Sequence, residues 1–394
     1  MERIGIYGGT FNPPHMGHML AARQAVRLLR LDRLLLIPDR IAPHKVLPEG
    51  SASPEERMQM LQLAAAGIEK AEVSDIELRR EGTSFTYLTI LELKQLYPEA
   101  ELVLIMGTDM FLSFDKWRET KIITDHAALG VLYRGEKGEK AAIDAKKAEM
   151  EANGVKVELI ENEVTAISST DLRRMLIFGC AEPFLPEGVG AYIREKGLYG
   201  TGRDYRNLSE EELEQVVVSL LKPNRVAHVL GCRDMAVELA KRWGADVTDA
   251  ARAGLLHDIT KAIDGPLQLT LCSEYGTMLN DFSRRYPKTL HALTGSLVAD
   301  RIFGEKEAVV NAIRHHTTGK AHMSLLEKII YIADYVEPNR TIAGVDQLRH
   351  LAFTDLDAAL KEGLQMTVSY LNEQGSEVSP ESREALAWLT GKDE

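Results

Sequence analysis

Two histidines near the start of the chain stand in a loop whose residue types suit phosphate binding. His15 and His18 belong to the pattern G-x-F-x-P-x-H-x-G-H, which follows a short apolar stretch. Gly8 and Gly9 lack a Cβ, which permits a tight turn and the close approach of a ligand. A helix that begins near the second histidine would place both imidazoles at its N-terminus, where N–H groups and the dipole favour anions. The stretch therefore predicts a phosphate site, and the plainer alternative is a β–loop–helix corner with two incidental histidines.

Further hydroxyl and cationic groups of the same character occur later in the first half. Ser168 and Ser169 are predicted to cap a helix N-terminus, and Arg173 follows one turn later with a planar multi-donor group suited to phosphate. Lys45 follows His44 on a loop after the second predicted strand. An ordinary serine N-cap and a solvated lysine are the alternatives at these two places.

The second half contains six histidine and aspartate residues with the chemistry of metal ligands. Each lies on or beside an apolar helical stretch, so its side chain is expected to point inward. A buried carboxylate is costly unless it is paired or bound to a metal. Four imidazoles and two carboxylates on inward faces predict a metal cluster suited to Fe, Mn or Zn; His315 is an ambiguous neighbour of one member. The predicted ligands are His228, His257, Asp258, His291, His316 and Asp334.

The predicted elements that position the phosphate-binding candidates of the first half alternate between strand and helix. Apolar stretches are predicted to form buried strands, and Ala- and Leu-rich stretches between them to form helices. Strand–helix–strand at this spacing indicates right-handed βαβ units and a parallel sheet, with ligands beyond the carboxyl ends of the strands. The predicted strands after the first are 33–38, 73–78, 102–109 and 128–134, and the predicted helices are 19–31, 54–68, 88–96 and 137–153.

The length of 394 residues predicts two domains. Glycine and charged residues replace periodic apolar residues between Arg194 and Asn207, which is typical of a linker. After a capping-box start at Ser209, amphipathic helical stretches follow one another and strand-like stretches vanish. We therefore predict a domain over 1–199, a linker over 200–208 and an all-α domain over 209–394.

Composition narrows the classes of partner. The net charge of −12 and the absence of a long basic run argue against a general nucleic-acid binder. The three cysteines have neither zinc-ligand nor disulfide spacing, which favours a reducing compartment. Without a signal peptide or an apolar run of transmembrane length, a cytoplasmic protein with no membrane partner is expected. A homo-oligomer is left open.

The motifs of the first half, taken together, resemble those of bacterial nicotinate-nucleotide adenylyltransferases. The resemblance covers about residues 1–199 and departs mildly at Phe85, where the family has tyrosine. It implies an α/β Rossmann-like nucleotidylyltransferase domain. The motifs that carry it are Gly8 to His18, Pro43-His44-Lys45, Ser84-Phe85-Thr86, Gly107-Thr108-Asp109, Trp117 and Ile167 to Arg173.

That resemblance implies ATP, accompanied by Mg²⁺, and nicotinate mononucleotide as substrates. It assigns the triphosphate to His15 and His18, the β- and γ-phosphates to Arg173 and the serines, and the mononucleotide phosphate to Lys45. Trp117 would stack on the pyridine ring, and Thr86 would lie near its carboxylate. The substrate-binding residues so implied are Gly8, Gly9, Thr10, Phe11, His44, Thr86, Gly107, Asp109, Trp117, Arg134, Ile167, Ser168 and Ser169.

The ordered set of histidines and aspartates in the second half is similar to that of HD-domain metallophosphohydrolases. The local sequences His316-Thr317-Thr318-Gly319 and Glu337-Pro338-Asn339-Arg340 resemble those of the subgroup that cleaves diadenosine tetraphosphate symmetrically. The resemblance implies an all-α HD-domain with two metal ions, iron first and manganese or zinc as alternatives. It makes Asp258 catalytic as well as a ligand. Lys261 is a candidate phosphate contact, with a surface lysine as the equal alternative.

Rival functions remain open at this point. The first half could be another nucleotidylyltransferase, acting on pantetheine phosphate or cytidine substrates, although Trp117 and the Ser84–Thr86 loop favour a nicotinate. The second half could hydrolyse another nucleotide, or sense nucleotides without turnover, although the full set of six ligands argues against the latter.

Overall fold

A computed structural model of the chain describes residues 1–43, 46–133, 138–161 and 167–391. The chain divides into two compact units, Met1–Arg203 and Asp204–Glu394. This division falls within the stretch 200–208.

The first unit is built on a parallel sheet that the described residues form from six strands. Strand β1 lies inside the sheet, and the strand order is β3-β2-β1-β4-β5-β6. Every neighbouring pair is parallel, so the predicted Rossmann-like α/β architecture is confirmed. The strands are β1 (Arg3–Gly9), β2 (Arg33–Pro38), β3 (Ala71–Val73), β4 (Glu101–Gly107), β5 (Ala127–Tyr133) and β6 (Val157–Glu161).

Helices connect these strands and continue beyond the last one. The first begins directly after the histidine loop, with His15 as its N-cap residue. Ser53 caps the second through a capping box with Glu56. The helices of this unit are α1 (Met16–Leu28), α2 (Pro54–Ala65), α3 (Thr86–Leu96), α4 (Thr108–Leu112), α5 (Thr120–His126), α6 (Glu139–Ala152), α7 (Ser169–Ile177) and α8 (Val189–Lys196).

The sheet supplies the core because its inner strands are apolar along their whole length. Leu34, Leu36, Val103, Leu129 and Val131 are fully buried. Continuous apolar strands of this kind are typical of parallel sheets covered on both faces. This core fixes the carboxyl ends of β1 and β4, where the candidate site lies.

One predicted strand is wrong in extent. The alternation at 73–78 predicts a strand, but β3 ends at Val73 and the chain turns at once. The amide of Ser74 still donates to the carbonyl of Leu36, and the amide of Arg79 donates to that of Asp75. The alternating pattern therefore comes from a turn that buries Ile76 and Glu77, and the edge strand is three residues long.

The described residues of the second unit form helices and no strand, which confirms the all-α prediction. Helix α16 runs through its core, with Ile329 to Ala333 fully buried. Within the described residues, no helix combines the length and apolar character needed to cross a membrane. The helices are α9 (Glu210–Leu220), α10 (Pro223–Trp243), α11 (Val247–Leu256), α12 (Gly265–Glu274), α13 (Asp281–Arg285), α14 (Leu290–Arg301), α15 (Glu307–His315), α16 (Leu325–Val336), α17 (Val345–Thr354), α18 (Leu356–Glu373) and α19 (Pro380–Thr390).

Candidate functional site

The first candidate site is a crevice where the strand order changes direction. Strand β1 pairs with β2 on one side and with β4 on the other. Ligands of open α/β sheets bind beyond the carboxyl strand ends at such a point. A cavity of about 260 Å³ opens there. Six of the predicted substrate-binding residues line it, namely Gly8, Gly9, Thr10, Thr86, Gly107 and Trp117.

The glycine pair does not form the tight turn that the sequence suggests. Neither Gly8 nor Gly9 has a positive φ, and Phe11 takes the left-handed conformation instead, with φ of 48°. Gly9 is favoured for a different reason, because a Cβ there would lie 3.2 Å from the Phe11 ring, which would have to shift. A Cβ at Gly8 would come no closer than 4.0 Å to its nearest neighbour, the carbonyl oxygen of Ile37. The open space beside Gly8 therefore belongs to the crevice and not to a turn.

The two histidines are brought together at the start of α1. Their rings stack with centroids 3.7 Å apart, and Phe11 packs edge-on against His18 at 5.0 Å. The side chain of His15 is buried, and burial lowers its pKa to about 4. His15 is therefore a neutral imidazole at neutral pH, beside the positive end of a helix.

The serine and arginine of the second signature hold the histidine loop in place. Ser168 caps α7 by accepting the amide of Asp171 at 3.1 Å. Ser169 Oγ donates to the carbonyl of Pro13 at 3.0 Å, and Arg173 Nη1 donates to the carbonyl of Asn12 at 2.7 Å. The structure thus joins the two signatures across more than 150 residues of sequence.

Arg57 is a residue of this site that the sequence analysis missed. It is fully buried, and its Nη1 donates to the carbonyl of Thr10 at 2.6 Å. Its guanidinium also contacts Asp39 Oδ1 at 3.2 Å and the Asp39 carbonyl at 2.7 Å. Thr10 Oγ1 donates to the same carboxylate at 2.7 Å. Arg57 shares its helical face with the buried Met60, Leu61 and Ala64; this pattern could have revealed it.

The opposite wall of the cavity carries the residues that resemblance assigns to the pyridine ring. Trp117 is half-buried and packs on Phe114 with ring centroids 5.4 Å apart. Ser84 Oγ accepts the amide of Arg40 at 2.9 Å, which holds the loop before Thr86. Behind it, Thr89 donates to the buried Glu77 at 2.7 Å, and burial raises the pKa of Glu77.

The remaining predicted residues of this site lie elsewhere or outside the described chain. Asp109 is exposed in the first turn of α4, and Ile167 is buried just before α7. Neither of them lines the cavity. His44, Lys45 and Arg134 fall outside the described residues.

In the second unit the six predicted metal ligands converge. His228 Nε2 lies 3.3 Å from His257 Nε2 and 3.1 Å from Asp334 Oδ1. The Asp258 carboxylate lies within 3.5 Å of His257 Nε2 and, through its other oxygen, of His291 Nε2. His316 Nε2 lies 3.8 Å from the same carboxylate. Two compact groups of potential ligands share His257: His228, His257 and Asp334, and His257, Asp258 and His316.

Hydrogen bonds to backbone carbonyls fix the tautomer of three of the four imidazoles in the cluster. Nδ1 of His257, His291 and His316 donates to a backbone carbonyl at 2.7 to 2.8 Å. A carbonyl only accepts, so each of these nitrogens carries the proton. Each Nε2 is therefore unprotonated, and its lone pair faces the cluster and can bind a metal, as in most histidines that bind metals. The donor set of imidazoles and carboxylates fits a transition metal ion.

The surroundings of the cluster favour the neutral form of three imidazoles and the ionised form of Asp334. Burial lowers the pKa of His316 to about 4 and holds the pKa values of His257 and His291 well below their usual range. Burial alone would raise the pKa of Asp334, but the hydrogen bond with His228 and nearby positive charge hold it well below its usual value. These are the protonation states that metal binding requires.

Glu337 is a second supporting residue whose role its motif did not reveal. Its buried carboxylate accepts the Nδ1 proton of His228 at 3.1 Å. The amide of Asn339 donates to the other oxygen at 2.7 Å. A Cβ at Gly231 would lie 2.5 Å from that oxygen, so only glycine leaves room for Glu337. Its carboxylate orients His228 as the backbone carbonyls orient the other three imidazoles.

The structure separates His315 from the cluster. Its Nδ1 lies 2.9 Å from Glu327 Oε1, which Lys320 also contacts at 2.9 Å. Burial raises the pKa of Glu327, but the hydrogen bonds from His315 and Lys320 outweigh it and lower that pKa to about 2. The ambiguous neighbour of His316 therefore belongs to a separate group, in which it is hydrogen-bonded to Glu327 beside Lys320. Lys261, by contrast, reaches the cluster, with Nζ 2.9 Å from His291 Nε2.

Two family models match the chain, one in each unit. Residues 6–175 match the cytidylyltransferase-like family. Residues 225–339 match the HD domain. The matched ranges contain the histidine loop and the six-residue cluster, respectively.

Several known proteins are similar to parts of the chain. A probable nicotinate-nucleotide adenylyltransferase of Geobacillus thermodenitrificans is 37% identical over 201 residues, which cover 51% of this chain and 87% of that protein. A symmetrical bis(5'-nucleosyl)-tetraphosphatase of Bacillus subtilis is 36% identical over 185 residues, 46% of this chain and 98% of that one. A crystal structure of a predicted HD superfamily hydrolase involved in NAD metabolism from Clostridium acetobutylicum is 38% identical and covers 47% of this chain and 99% of that one, with a TM-score of 0.46.

Proposed function

The chain belongs to the nicotinate-nucleotide adenylyltransferase family in its N-terminal half and to the HD-domain hydrolases in its C-terminal half, and from this we propose a bifunctional enzyme. The N-terminal half transfers AMP from ATP to nicotinate mononucleotide, giving deamido-NAD and pyrophosphate. The C-terminal half hydrolyses diadenosine tetraphosphate to two ADP. Both reactions act on phosphoanhydride bonds of adenine nucleotides, and the two sites lie in separate units.

The observation that carries the transferase is the pairing of an anion site with an aromatic cavity. Stacked His15 and His18 stand at the N-terminus of α1, and Trp117 lines the adjoining cavity. A phosphate oxygen of the mononucleotide attacks the α-phosphorus of ATP, and the bond to the bridging oxygen of pyrophosphate breaks. Such transfers rely on positioning and charge stabilisation rather than on covalent chemistry by the protein.

Each side chain has a definite part in this reaction. His15 and His18 donate hydrogen bonds to the triphosphate as charge builds up, and Ser168, Ser169 and the N-terminus of α7 hold its distal phosphates together with Arg173. Trp117 stacks on the pyridine ring. Lys45 binds the mononucleotide phosphate. Mg²⁺ enters with ATP and neutralises phosphate charge, held largely by phosphate oxygens and water.

A substrate panel tests the transferase. The full chain is assayed with ATP and nicotinate mononucleotide, nicotinamide mononucleotide, pantetheine phosphate or cytidine substrates. We expect nicotinate mononucleotide to have the highest kcat/KM and His15→Ala to lower that value by about 100-fold or more, the usual cost of losing a transition-state hydrogen-bond donor. His126→Ala, at an exposed histidine of the same unit, is the matched control. Preference for pantetheine phosphate would contradict the assignment.

The observation that carries the hydrolase is the convergence of four imidazole Nε2 atoms on two carboxylates. The two ligand groups, with His291 Nε2 3.5 Å from Asp258, offer four imidazole nitrogens and two carboxylates. These are enough donors for two metal ions, and His257 would give its single Nε2 lone pair to one of them. The residues that would hold the metals are His228, His257, Asp258, His291, His316 and Asp334. Bound metal would activate water and neutralise phosphate oxygens. The water oxygen bonds to a phosphorus beside the central bridging oxygen, that P–O bond breaks, and the bridging oxygen leaves with the second ADP. Iron is the expected metal, with manganese and zinc as alternatives.

Product analysis and metal analysis test the hydrolase together. The full chain, purified with its metal, should convert diadenosine tetraphosphate to ADP without AMP or ATP. Asp258→Ala should abolish hydrolysis and metal retention together, whereas adenylyl transfer stays at the wild-type rate. Asp249→Ala removes another buried aspartate of the same unit and should retain the metal. Tight binding of the dinucleotide without cleavage by the metal-loaded protein would favour a sensing module instead.

A further inference from the structure

Two partly exposed arginines contact the buried metal-ligand cluster. The side chains of the cluster histidines are at most 9% exposed. Those of Arg225 and Arg340 are 26% and 33% exposed. Arg225 lies in α10 and Arg340 follows α16, so the two come from different elements. Their guanidinium groups therefore connect the buried cluster with the surface of the unit.

Each guanidinium contacts a different carboxylate of the cluster. Arg225 forms an ion pair with Asp258. Arg340 Nη2 donates to Asp334 Oδ1 at 2.5 Å, and its Nε donates to the Asp334 carbonyl at 2.8 Å. The two arginines therefore mark two separate positions along the rim of the cluster.

Both arginines retain donors that no protein group uses. In the described part of the chain, Nε of Arg225 is buried without a hydrogen-bond partner, and Nη1 of Arg340 has no protein acceptor. Arg349, on the neighbouring α17, is the contrast. Its Nε, Nη1 and Nη2 all donate, to Asp346 and to three backbone carbonyls. Arg349 thus uses all of its nitrogens within the fold, whereas Arg225 and Arg340 each keep one nitrogen without an acceptor. A buried Nε without a partner also occurs at Arg57, so it is the partial exposure of Arg225 and Arg340 that makes their guanidinium groups available to a ligand.

We propose that Arg225 and Arg340 form a phosphate clamp, through which the hydrolase site recognises a chain of at least two linked phosphates. A guanidinium matches the geometry of phosphate oxygens and gives strong charge-assisted hydrogen bonds. Because the two groups are fixed on different carboxylates, they contact different phosphates of the chain. Recognition then depends on the polyphosphate rather than on the nucleoside. This inference rests on the proposed hydrolase function, and it names the phosphate chain as the part of the substrate that the site recognises.

Inorganic tripolyphosphate is the probe, since it contains the phosphate chain without a nucleoside. Its binding to the full, metal-loaded chain is measured by calorimetry, and metal content by elemental analysis. Arg225→Gln and Arg340→Gln should each weaken binding by about tenfold or more, in the range of a lost charge-assisted hydrogen bond, with metal content unchanged. Arg225→Lys and Arg340→Lys keep the charge but lose the planar group, and should recover only part of the affinity. Arg314→Gln, at an exposed arginine of α15, should bind tripolyphosphate as the wild type does.

Three outcomes separate this proposal from the hydrolase assignment. If the wild-type chain binds tripolyphosphate through both arginines but does not cleave diadenosine tetraphosphate, the clamp stands and the hydrolase assignment fails. If the glutamine variants lose metal yet bind tripolyphosphate normally after reloading, the arginines only neutralise carboxylates and the clamp is wrong. Failure of the wild-type chain to bind tripolyphosphate would also overturn it.

Discussion

The two candidate sites have opposite polarity, and they are built from different parts of the chain. In the first unit, backbone carbonyls of the histidine loop are held by Arg57 and Arg173, and the start of α1 faces the crevice with hydrogen-bond donors. In the second, buried imidazoles such as His257 turn lone pairs inward. The first arrangement suits an anion and the second a cation.

This difference predicts which property each set of supporting residues affects. The histidine loop presents hydrogen-bond donors and must keep its backbone conformation, so substitution of its supporting residues should lower the free energy of local unfolding. The metal-ligand cluster presents lone pairs and must keep its tautomers, so substitution of its supporting residues should lower metal affinity. Four substitutions or changes of condition test the distinction, and we take them in decreasing order of expected effect.

The largest effect is expected from His257→Ala. His257 belongs to both compact ligand groups, so its loss should reduce metal content to near zero. Affinity should fall by more than the 10- to 100-fold typical of a lost second-layer hydrogen bond. Adenylyl transfer should be unchanged. Elemental analysis and both assays on the full chain measure this; His315→Ala, which removes a histidine outside the cluster, is the control. Retention of one metal equivalent would show that the two groups bind independently of His257.

Arg57→Met tests the supports of the first site. Removing one partner of a buried ion pair costs about 3–5 kcal/mol, and here three acceptors around Thr10 and Asp39 lose their donor. The free energy of local unfolding, from hydrogen exchange of peptides within 1–203 in the full chain, should fall by about that amount. Arg40→Met, at an exposed arginine of the adjoining loop, should change it by about 0.5 kcal/mol or less. Equal effects of the two substitutions would refute a special role for Arg57.

The sequence predicted the architecture well because the relevant signals are local. Apolar stretches such as Leu34–Ile37 are buried over their whole length, and each forms a strand of the parallel sheet. The extent of β3 was mistaken because turn residues at 74–78 happen to alternate. The conformation of Phe11 could not be foreseen, since a left-handed backbone is uncommon for an aromatic residue.

The sequence predicted the reactive residues of both candidate sites but not the residues that hold them in place. Histidines and aspartates have few other reasons to recur on apolar faces, so His228 or Asp258 could be found from type and position. The roles of Arg57 and Glu337 were missed, because their partners lie 47 and 109 residues away along the chain. For Arg57 the local signal is its place on the buried face of α2, but that signal does not show which groups the side chain contacts.

Glu337→Gln tests the supports of the second site. The glutamine keeps the volume but weakens the hydrogen bond that orients His228, so metal affinity should fall by about 10- to 100-fold. Competition with a chelator measures the affinity. Glu327→Gln is an unusually close control, because Glu327 is equally buried and also accepts from a histidine Nδ1, that of His315, outside the cluster. The same loss of affinity in both variants would mean that Glu337 acts on the fold and not through His228.

The smallest effect is expected from pH at the first site. The pKa of His15 is lowered by burial to about 4 in the folded chain, against about 6.5 when unfolded. The unfolded state therefore takes up the proton first as pH falls. The stability due to neutral His15 is complete above pH 6.5 and is lost progressively between pH 6.5 and 4.

From this difference in pKa, local stability of the first unit should be about 2 kcal/mol lower at pH 5 than at pH 7 through His15 alone. His15→Asn should remove that part of the dependence, which hydrogen exchange of peptides spanning α1 can measure in the full chain. His126→Asn, at an exposed position in the same unit, should keep the wild-type difference. An unchanged pH dependence in His15→Asn would show that His15 is not held neutral by the fold, and the polarity assigned to the crevice would then rest on the helix N-terminus alone.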